Sequence, residues 1–319
     1  MTKKTFFEDI NSTIDDIIAT DYVFNPEDNV PGVDDPNLTY GRGKTKKGVE
    51  LNTCILYVDI RDSVSLTESH WDTTMGKIYS AFTACVLKAA RETEGFVRNI
   101  IGDRVMILFP SNNCYTKAVD CAIYINQISN IINAKFPNID FRCGIGIDAG
   151  RMRVIKIGIQ VNNQEHYENK GLVWVGKPAN MASRLTDTAN KKVTEETYHV
   201  EGTKLSFKTT MFGIQTTFPE KIEMPHVRDF STEDYLKAIS VSHNKPYISE
   251  FHSVISIKKQ NKDYQFPPIL MSEAVYRGFA KANPNRNSIK NGYWKLQSVA
   301  IRSIEFPVYG GNVTWDIKL

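Results

Sequence analysis

Two aspartates lie in otherwise apolar surroundings and have the chemistry to hold metal ions. Asp59 follows residues 53–58, an apolar run typical of a buried strand. Asp103 follows Gly102 at a tight-turn dipeptide between two further apolar runs. Two carboxylates side by side repel each other unless cations lie between them. A single aspartate at a strand end is usually a turn or cap residue, so this interpretation depends on the two occurring together.

A third element adds groups that suit phosphate chemistry. Asn180 and Arg184 are four residues apart in a predicted helix, and therefore share one face of it. The amide could orient a ribose, and the guanidinium could bind phosphate oxygens. A solvated helix face, with Arg184 in a surface salt bridge, is the alternative for this segment taken alone. A pair of divalent ions activates hydroxyl groups and neutralises phosphate charge, so the three elements together predict a nucleotide enzyme.

The pattern of apolar residues predicts the elements that must position these groups. Helical spacing and strand-like runs alternate from about residue 49, in the ferredoxin-like order of an α+β fold. We predict strands at 53–58, 96–101, 105–109, 141–148, 152–159, 172–175, 268–271, 293–301 and 308–317, with a turn at Ala149-Gly150. We predict helices at 69–93, 115–136, 178–188 and 272–282.

Two segments fall outside this order. Residues 1–48 contain a helical pattern at 5–19 and then a linker or ordered loop rich in proline, glycine and aspartate. Residues 190–265 are polar and have no clear period, which predicts surface ribbons or loops outside the catalytic sheet. We therefore expect a main domain over 49–319, interrupted by a long insertion at about 190–265.

Composition excludes several classes of protein. The net charge of +3 gives no global field that favours nucleic acid or a membrane surface. The apolar runs are shorter than the roughly 18 residues that span a bilayer, so we expect no direct membrane insertion. The five cysteines are scattered without zinc-ligand spacing, and we expect them to be reduced, as in the cytoplasm.

The motifs in their order resemble the catalytic domain of class III adenylate and guanylate cyclases. The resemblance covers residues 50–189 and 266–319, and it leaves 190–265 as an insertion. Six blocks carry it: LYVDIRDS, NIIGDRVMILF, FRCGIGIDAG, VWVGKPANMASRL, PPILMSEAVYRGF and AIRSIEFPVY. The resemblance implies that Asp59 and Asp103 hold two Mn²⁺ or Mg²⁺ ions, with the Ile60 carbonyl as a further ligand. It also implies that Asn180 positions the ribose and that Arg184 stabilises the transition state.

The substrate-binding positions depart from the purine-specific members of this family. Adenylate cyclases have lysine and aspartate, and guanylate cyclases glutamate and a small residue, where this chain has Asn99 and Val173. Tyr57 replaces the usual phenylalanine, and Arg98 would favour uracil carbonyls if it faced the base. Arg302 lies where the family often places a phosphate-binding lysine. The chain therefore looks like the bacterial Pycsar anti-phage cyclases, which make cyclic UMP or cyclic CMP; UTP is favoured and CTP stays open.

The resemblance also implies partners. One chain holds one copy of each block, so we expect a homodimer with active sites at the subunit interface and a separate effector protein that binds the product. We expect no nucleic-acid partner. Two alternatives remain at this point: an adenylate cyclase with an unusual base pocket, and a catalytically inactive domain that binds nucleotides as a regulatory partner.

Overall fold

The computed structural model describes residues 2–41, 45–161, 164–208, 220–242 and 245–317. The parts of the predicted linker and insertion at 42–44, 209–219 and 243–244 lie outside the described residues. The chain divides into two compact units. The first comprises Met1–Lys191 and Phe266–Leu319, and the second comprises Lys192–Gln265.

Helices and strands alternate along most of the described chain. The helices are α1 (Lys3–Ala19), α2 (Ser63–Ser69), α3 (Asp72–Glu92), α4 (Cys114–Lys135), α5 (Lys177–Thr188), α6 (Thr232–Ala238), α7 (Glu273–Ala282) and α8 (Asn287–Lys290). The strands are β1 (Tyr22–Pro26), β2 (Lys46–Ile60), β3 (Phe96–Ile101), β4 (Arg104–Phe109), β5 (Cys143–Val161), β6 (Gln164–Val175), β7 (Lys192–Lys208), β8 (Glu220–Ser231), β9 (Ile239–Ser242), β10 (Lys245–Ile248), β11 (Ser253–Gln265), β12 (Ile269–Ser272), β13 (Lys295–Leu296) and β14 (Val308–Gly311).

The central sheet has the strand order expected of a ferredoxin-like fold. Neighbouring strands run β13-β14-β12-β5-β2-β4-β3, and β1 and β6 pair with β2 and β5. Within it, β5, β2, β4 and β3 form four adjacent antiparallel strands, interleaved along the chain with α3 and α4. This arrangement confirms the predicted α+β class.

Two apolar cores lie on opposite faces of this sheet. The larger core packs the sheet against α3, α4 and α7 and includes the fully buried rings of Phe82, Phe141 and Phe279. The smaller core packs the other face against α5 and against Val30 and Leu38 of the N-terminal segment. The part of this segment that contains Val30 and Leu38 therefore covers one face of the sheet.

Helix α5 lies directly on β5 because β5 presents glycines to it. A Cβ atom at Gly146 would lie 2.3 Å from the carbonyl oxygen of Ala182 and 2.3 Å from the backbone nitrogen of Thr186. At Gly150, where φ is +154°, a Cβ atom would lie 3.0 Å from the Pro178 ring. Side chains at these two positions would lift the helix off the sheet.

The predicted turn at Ala149-Gly150 is wrong. β5 runs through it without a break, and Gly150 pairs with Thr53 of β2. The alternation of apolar and polar residues is the same for one long strand as for two short ones, so the glycine alone suggested a turn. Its actual role is the close approach of α5.

The C-terminal strands are shorter than predicted. β13 has two residues and β14 has four, where the sequence suggested nine and ten. Ser303 adopts a positive φ of 62°, and Pro307 has no backbone N–H to donate to a ladder. Both residues lie in the gap at 302–307 between the two predicted strands, so they account for that break and not for the shorter strands.

The predicted helix at 69–93 corresponds to α3, which begins three residues later at Asp72 and ends at Glu92, and a separate short helix, α2, precedes it. α2 ends at Ser69, where His70 Nδ1 lies 2.9 Å from the Leu66 carbonyl oxygen. α3 then begins at Asp72, whose charge suits the first turn of a helix. The sequence analysis did not predict the short helix α2.

Helix α1 keeps its apolar stripe exposed. Phe6, Ile10, Ile14 and Ile17 are between 39% and 51% exposed, and no residue of α1 is buried. Among the described residues, no helix has the length and apolar character needed to cross a bilayer.

The second unit has regular structure where the sequence showed no period. β7 lies between β8 and β11 in an antiparallel sheet, and Val200, Phe230, Ile248 and Phe251 form a small core of its own. Most side chains of β11 are exposed, so its sequence lacks the alternation of apolar and polar residues that a half-buried strand would have.

Packing of α5 on β5 makes a prediction about stability. Gly146→Ala should lower the free energy of unfolding by about 3 kcal/mol, because the added methyl group meets backbone atoms of α5 that cannot move independently. Gly171→Ala, where a Cβ atom meets nothing within 4 Å, is the matched control and should change it by less than about 0.5 kcal/mol. Urea unfolding followed by circular dichroism measures both. Equal stabilities of the two variants would contradict the packing argument.

Candidate active site

The ladder between β2 and β4 brings the two predicted metal ligands together. Asp59 is the penultimate residue of β2, and Asp103 lies in the turn between β3 and β4. Val58 pairs with Val105, so the end of β2 lies beside the start of β4. Ile60, the third predicted ligand, is the buried last residue of β2 and directly follows Asp59.

The two carboxylates interact unfavourably with each other. Burial raises the pKa of Asp103, and the charge of Asp59 raises it further. Hydrogen bonding from Ser63 offsets only part of this effect. Among the described residues, Asp103 Oδ2 is buried without a hydrogen-bond partner. A buried acceptor in this state needs a cation or a donor that the chain itself does not supply.

Two arginines provide the counter-charge on the other side of Asp59. Arg104 Nη2 donates to Asp59 Oδ2 at 2.7 Å, and Arg61 Nη2 lies 3.5 Å from the same oxygen. Arg61 is only 4% exposed, and burial lowers the pKa of its guanidinium. Burial also lowers the pKa of Arg104, but its hydrogen bonds to Asp59 and Asp187 outweigh this and raise it above the ordinary value.

The aspartate pair fits hard divalent cations. Carboxylate oxygens are the ligands that Mg²⁺ and Mn²⁺ prefer, and the unpartnered Asp103 Oδ2 is available to coordinate. Within the described part of the chain, no group of three or more His, Cys, Asp or Glu side chains could form a complete protein cage. Mg²⁺ is commonly held by one or two carboxylates together with substrate phosphates, and this pair matches that mode.

Asn180 and Arg184 lie on an exposed face of α5. Arg184 Nη1 donates to the Ser303 carbonyl oxygen at 2.8 Å, which places its guanidinium beside the turn that carries Arg302. Arg302 is exposed there. The tertiary structure thus brings together two cations that are more than a hundred residues apart, and both are accessible to an anionic ligand.

Helix α5 contacts the aspartate site through other residues. Arg104 Nη1 donates to Ser183 Oγ at 3.0 Å, and Arg104 Nη2 also bonds Asp187 Oδ1. Arg61 Nη1 donates to the Asp187 carbonyl oxygen at 3.2 Å. No contact joins Asn180 or Arg184 to Asp59 or Asp103 among the residues that the structure describes.

Two of the predicted base-binding residues share a row across the sheet. Tyr57 pairs with Met106, and Met106 pairs with Asn99, so the three side chains lie on one face. Burial raises the pKa of the Tyr57 phenol, and the nearby charge of Arg104 partly opposes this. Val173 lies on β6, opposite Ile155, and is 36% exposed.

Arg98 makes contacts that the sequence did not suggest. Its Nε donates to the Pro31 carbonyl oxygen at 2.9 Å and its Nη2 to the Val30 carbonyl oxygen at 3.1 Å. The register of β3 shifts between Val97 and Asn99, so Arg98 is the extra residue of a β-bulge. Within this chain the guanidinium therefore holds the N-terminal loop, and it does not support the expectation that Arg98 faces the base.

Sequence reasoning missed the residues that connect these groups. Arg61, Arg104, Ser183 and Asp187 link the end of β2 to α5. Asp103-Arg104 has the composition of an ordinary surface pair, so nothing in the sequence distinguishes Arg104. The contact depends on α5 crossing the sheet, which only the tertiary structure determines.

Known proteins similar to this chain are nucleotide cyclases. A uridylate cyclase from Burkholderia cepacia is 31% identical over 199 residues, which are 60% of this chain and 81% of that protein. A uridylate cyclase from Gulbenkiania mobilis is 25% identical over 235 residues, covering 67% of this chain and 86% of that protein. No family model matches the chain.

Among solved structures, the guanylyl cyclase Cya2 is similar, with 12% identity and a TM-score of 0.47 over 84% of this chain and 95% of that one. The strand order of the central sheet shows the α+β fold independently of this similarity. The identity to the Burkholderia enzyme and the extent of that match decide the family. The chain belongs to the uridylate cyclases.

Proposed function

We propose that this protein converts UTP to 3′,5′-cyclic UMP and diphosphate. The observation that carries the proposal is the pair formed by Asp59 and Asp103, with the unpartnered buried oxygen of Asp103. The relatives named uridylate cyclases support uracil as the base. The row of Tyr57 and Asn99 supports it too, because a phenol and an amide can each hydrogen-bond a pyrimidine edge.

In the proposed reaction the ribose 3′-hydroxyl oxygen bonds to the α-phosphorus and loses its proton to water. The bond from the α-phosphorus to the oxygen that bridges the β-phosphate breaks, and diphosphate leaves. Asp59 and Asp103, with the Ile60 carbonyl, would hold two Mg²⁺ or Mn²⁺ ions. When bound, these ions would lower the pKa of the hydroxyl and neutralise phosphate charge.

The remaining roles belong to exposed residues of the chain. Asn180 would orient the ribose, and Arg184 and Arg302 would bind phosphate oxygens. Arg184 bonds the Ser303 turn, which also carries Arg302, and this supports a shared role of the two arginines in phosphate binding. Val173 and Tyr57 would contact the base. Arg98 would act on the base only indirectly, by holding the bulge that precedes Asn99.

We also propose that the active unit is a homodimer. Asn180 and Arg184 are exposed and separate from the aspartates in the described chain, so one chain presents two half-sites. A two-fold dimer would complete both sites at once. As part of the proposal, the product acts in anti-phage defence through a separate effector, and the enzyme works in the cytoplasm, where its five free cysteines would stay reduced.

Removal of either aspartate tests the metal assignment. Asp59→Ala and Asp103→Ala should each lower kcat with Mn²⁺ and UTP by about 1,000-fold, or about 4 kcal/mol of barrier, because each removes a metal ligand. Asp140→Ala, which removes an exposed aspartate that pairs with Arg142, is the matched control and should stay within about twofold of wild type. Losses of less than about tenfold at both aspartates would exclude the two-metal site.

Comparing the four nucleoside triphosphates tests the base. UTP should have the highest kcat/KM. Tyr57→Phe should lower the preference for UTP over ATP by about tenfold, the equivalent of one lost hydrogen bond. Coupled release of diphosphate and cyclic product measures both. If ATP has the highest kcat/KM, the protein is an adenylate cyclase; if no triphosphate is turned over, it is an inactive binding domain.

Complementation tests the shared site. Asp59→Ala and Arg184→Ala should each be inactive alone, and an equal mixture should regain up to about a quarter of wild-type activity, because half of randomly formed dimers are mixed and each has one intact site. Mass spectrometry of differently tagged chains verifies the exchange. Mixed dimers without activity would rule out the shared site.

A further inference from the structure

The guanidinium of Arg104 connects two parts of the site that serve different purposes. It bonds Asp59 Oδ2 at 2.7 Å, Ser183 Oγ at 3.0 Å and, through Nη2, the carboxylate of Asp187. Asp59 belongs to the aspartate pair. Ser183 and Asp187 belong to α5, the helix that carries Asn180 and Arg184.

This arrangement sets up a competition for Asp59. Arg104 bonds one of the two carboxylate oxygens of Asp59, and a divalent ion on the aspartate pair would lie close to its guanidinium, so the two cations would repel each other. Arg104 is about one-third exposed, whereas Arg61 is 4% exposed, lies where a Cβ atom at Gly144 would meet its guanidinium, and donates to the Asp187 carbonyl oxygen. Of these two cations, Arg104 is therefore the one with room to move.

A second anchor for Arg104 already exists. Ser183 and Asp187 are one turn apart on α5, so the guanidinium can leave Asp59 and keep two contacts with the helix. Arg104 Nη2, which bonds both Asp59 and Asp187, would then bond Asp187 alone.

We propose that Arg104 is a positioning residue that holds Asp59 in the metal-free protein, is displaced from it by the divalent ion, and then anchors α5 alone through Ser183 and Asp187. The proposal rests on the function proposed above. In a shared-site dimer, Arg104 would act on one active site through its own Asp59. It would act on the other through the Asn180 and Arg184 of its own α5.

Binding of Mn²⁺ without nucleotide tests the first role. We expect Arg104→Gln to lower the Kd for Mn²⁺ by about tenfold, because the competing cation is gone. Asp187→Asn should raise the Kd by about threefold, because Arg104 loses its second anchor and stays on Asp59. Electron paramagnetic resonance of free Mn²⁺ with the full chain measures both, and thermal unfolding verifies that each variant is folded.

Two control variants separate this mechanism from a general charge effect. Arg142→Gln removes an arginine that pairs with Asp62 and Asp140, and Asp62→Asn removes a nearby acid. Both should leave the Kd within about twofold of wild type. An unchanged or weaker Mn²⁺ affinity in Arg104→Gln would overturn the proposal, and so would shifts of equal size in the controls.

Mixed dimers test the second role. In a dimer of an Arg184→Ala chain and an Asp59→Ala chain, the one intact site takes its aspartates from the first and its α5 from the second. Arg104→Gln added to the aspartate donor should lower the Mn²⁺ concentration for half-maximal rate. Added to the α5 donor, it should lower kcat by about tenfold and leave that concentration unchanged.

The same effect from both positions would overturn the division of roles. If the parent mixture shows no activity, the shared site fails, and the Mn²⁺ binding measurements still decide whether Arg104 competes for Asp59.

Discussion

Helix α5 lies so close to β5 that no side chain larger than a hydrogen atom would fit at Gly146. A Cβ atom there would lie 2.3 Å from two backbone atoms of the helix, so helix and strand are in backbone contact. The hydroxyl of Thr186 also donates to the Tyr57 carbonyl oxygen at 3.1 Å, which fixes the helix against β2 as well. Because of this depth, Ser183 and Asp187 reach the end of the strand that carries Asp59.

The site has an electrostatic balance that depends on this packing. Two carboxylates and two guanidiniums lie within a few ångströms, and isolated buried charges of either sign would be strongly destabilising. Asp59 has its partners in Arg61 and Arg104, whereas Asp103 Oδ2 has none among the described residues. Asp103 is therefore open to a cation, whereas the charge of Asp59 is already neutralised by arginines.

The same packing separates the residues that we propose act together. α5 directs Ser183 and Asp187 toward Arg104, which bonds Asp59, and it exposes Asn180 and Arg184, the latter bonded to the Ser303 turn. A helix that is in contact with one half-site while exposing another suits a protein in which two chains complete each site. Arg104 lies at the point where these two functions of the helix meet.

The sequence by itself determined the fold class and the family, because both depend on local patterns. Apolar periodicity marked the hairpin at 96–109 and helices such as α4 nearly to their ends, and six short motifs in order indicated the cyclase resemblance. It also singled out Asp59 and Asp103 as candidate metal ligands, because the two occur together beside apolar runs. Local pattern failed at Gly150, where a close helix contact has the same sequence signal as a turn.

Only the tertiary structure decided that Arg104 bridges Asp59 to α5, that Arg98 holds the N-terminal loop, and that Arg184 lies beside Arg302. Asp59 and Arg104 are 45 positions apart in the sequence. The other contacts join residues that are 67 or more positions apart. Such contacts depend on how the helix and loops cross the sheet, and no local periodicity encodes that crossing.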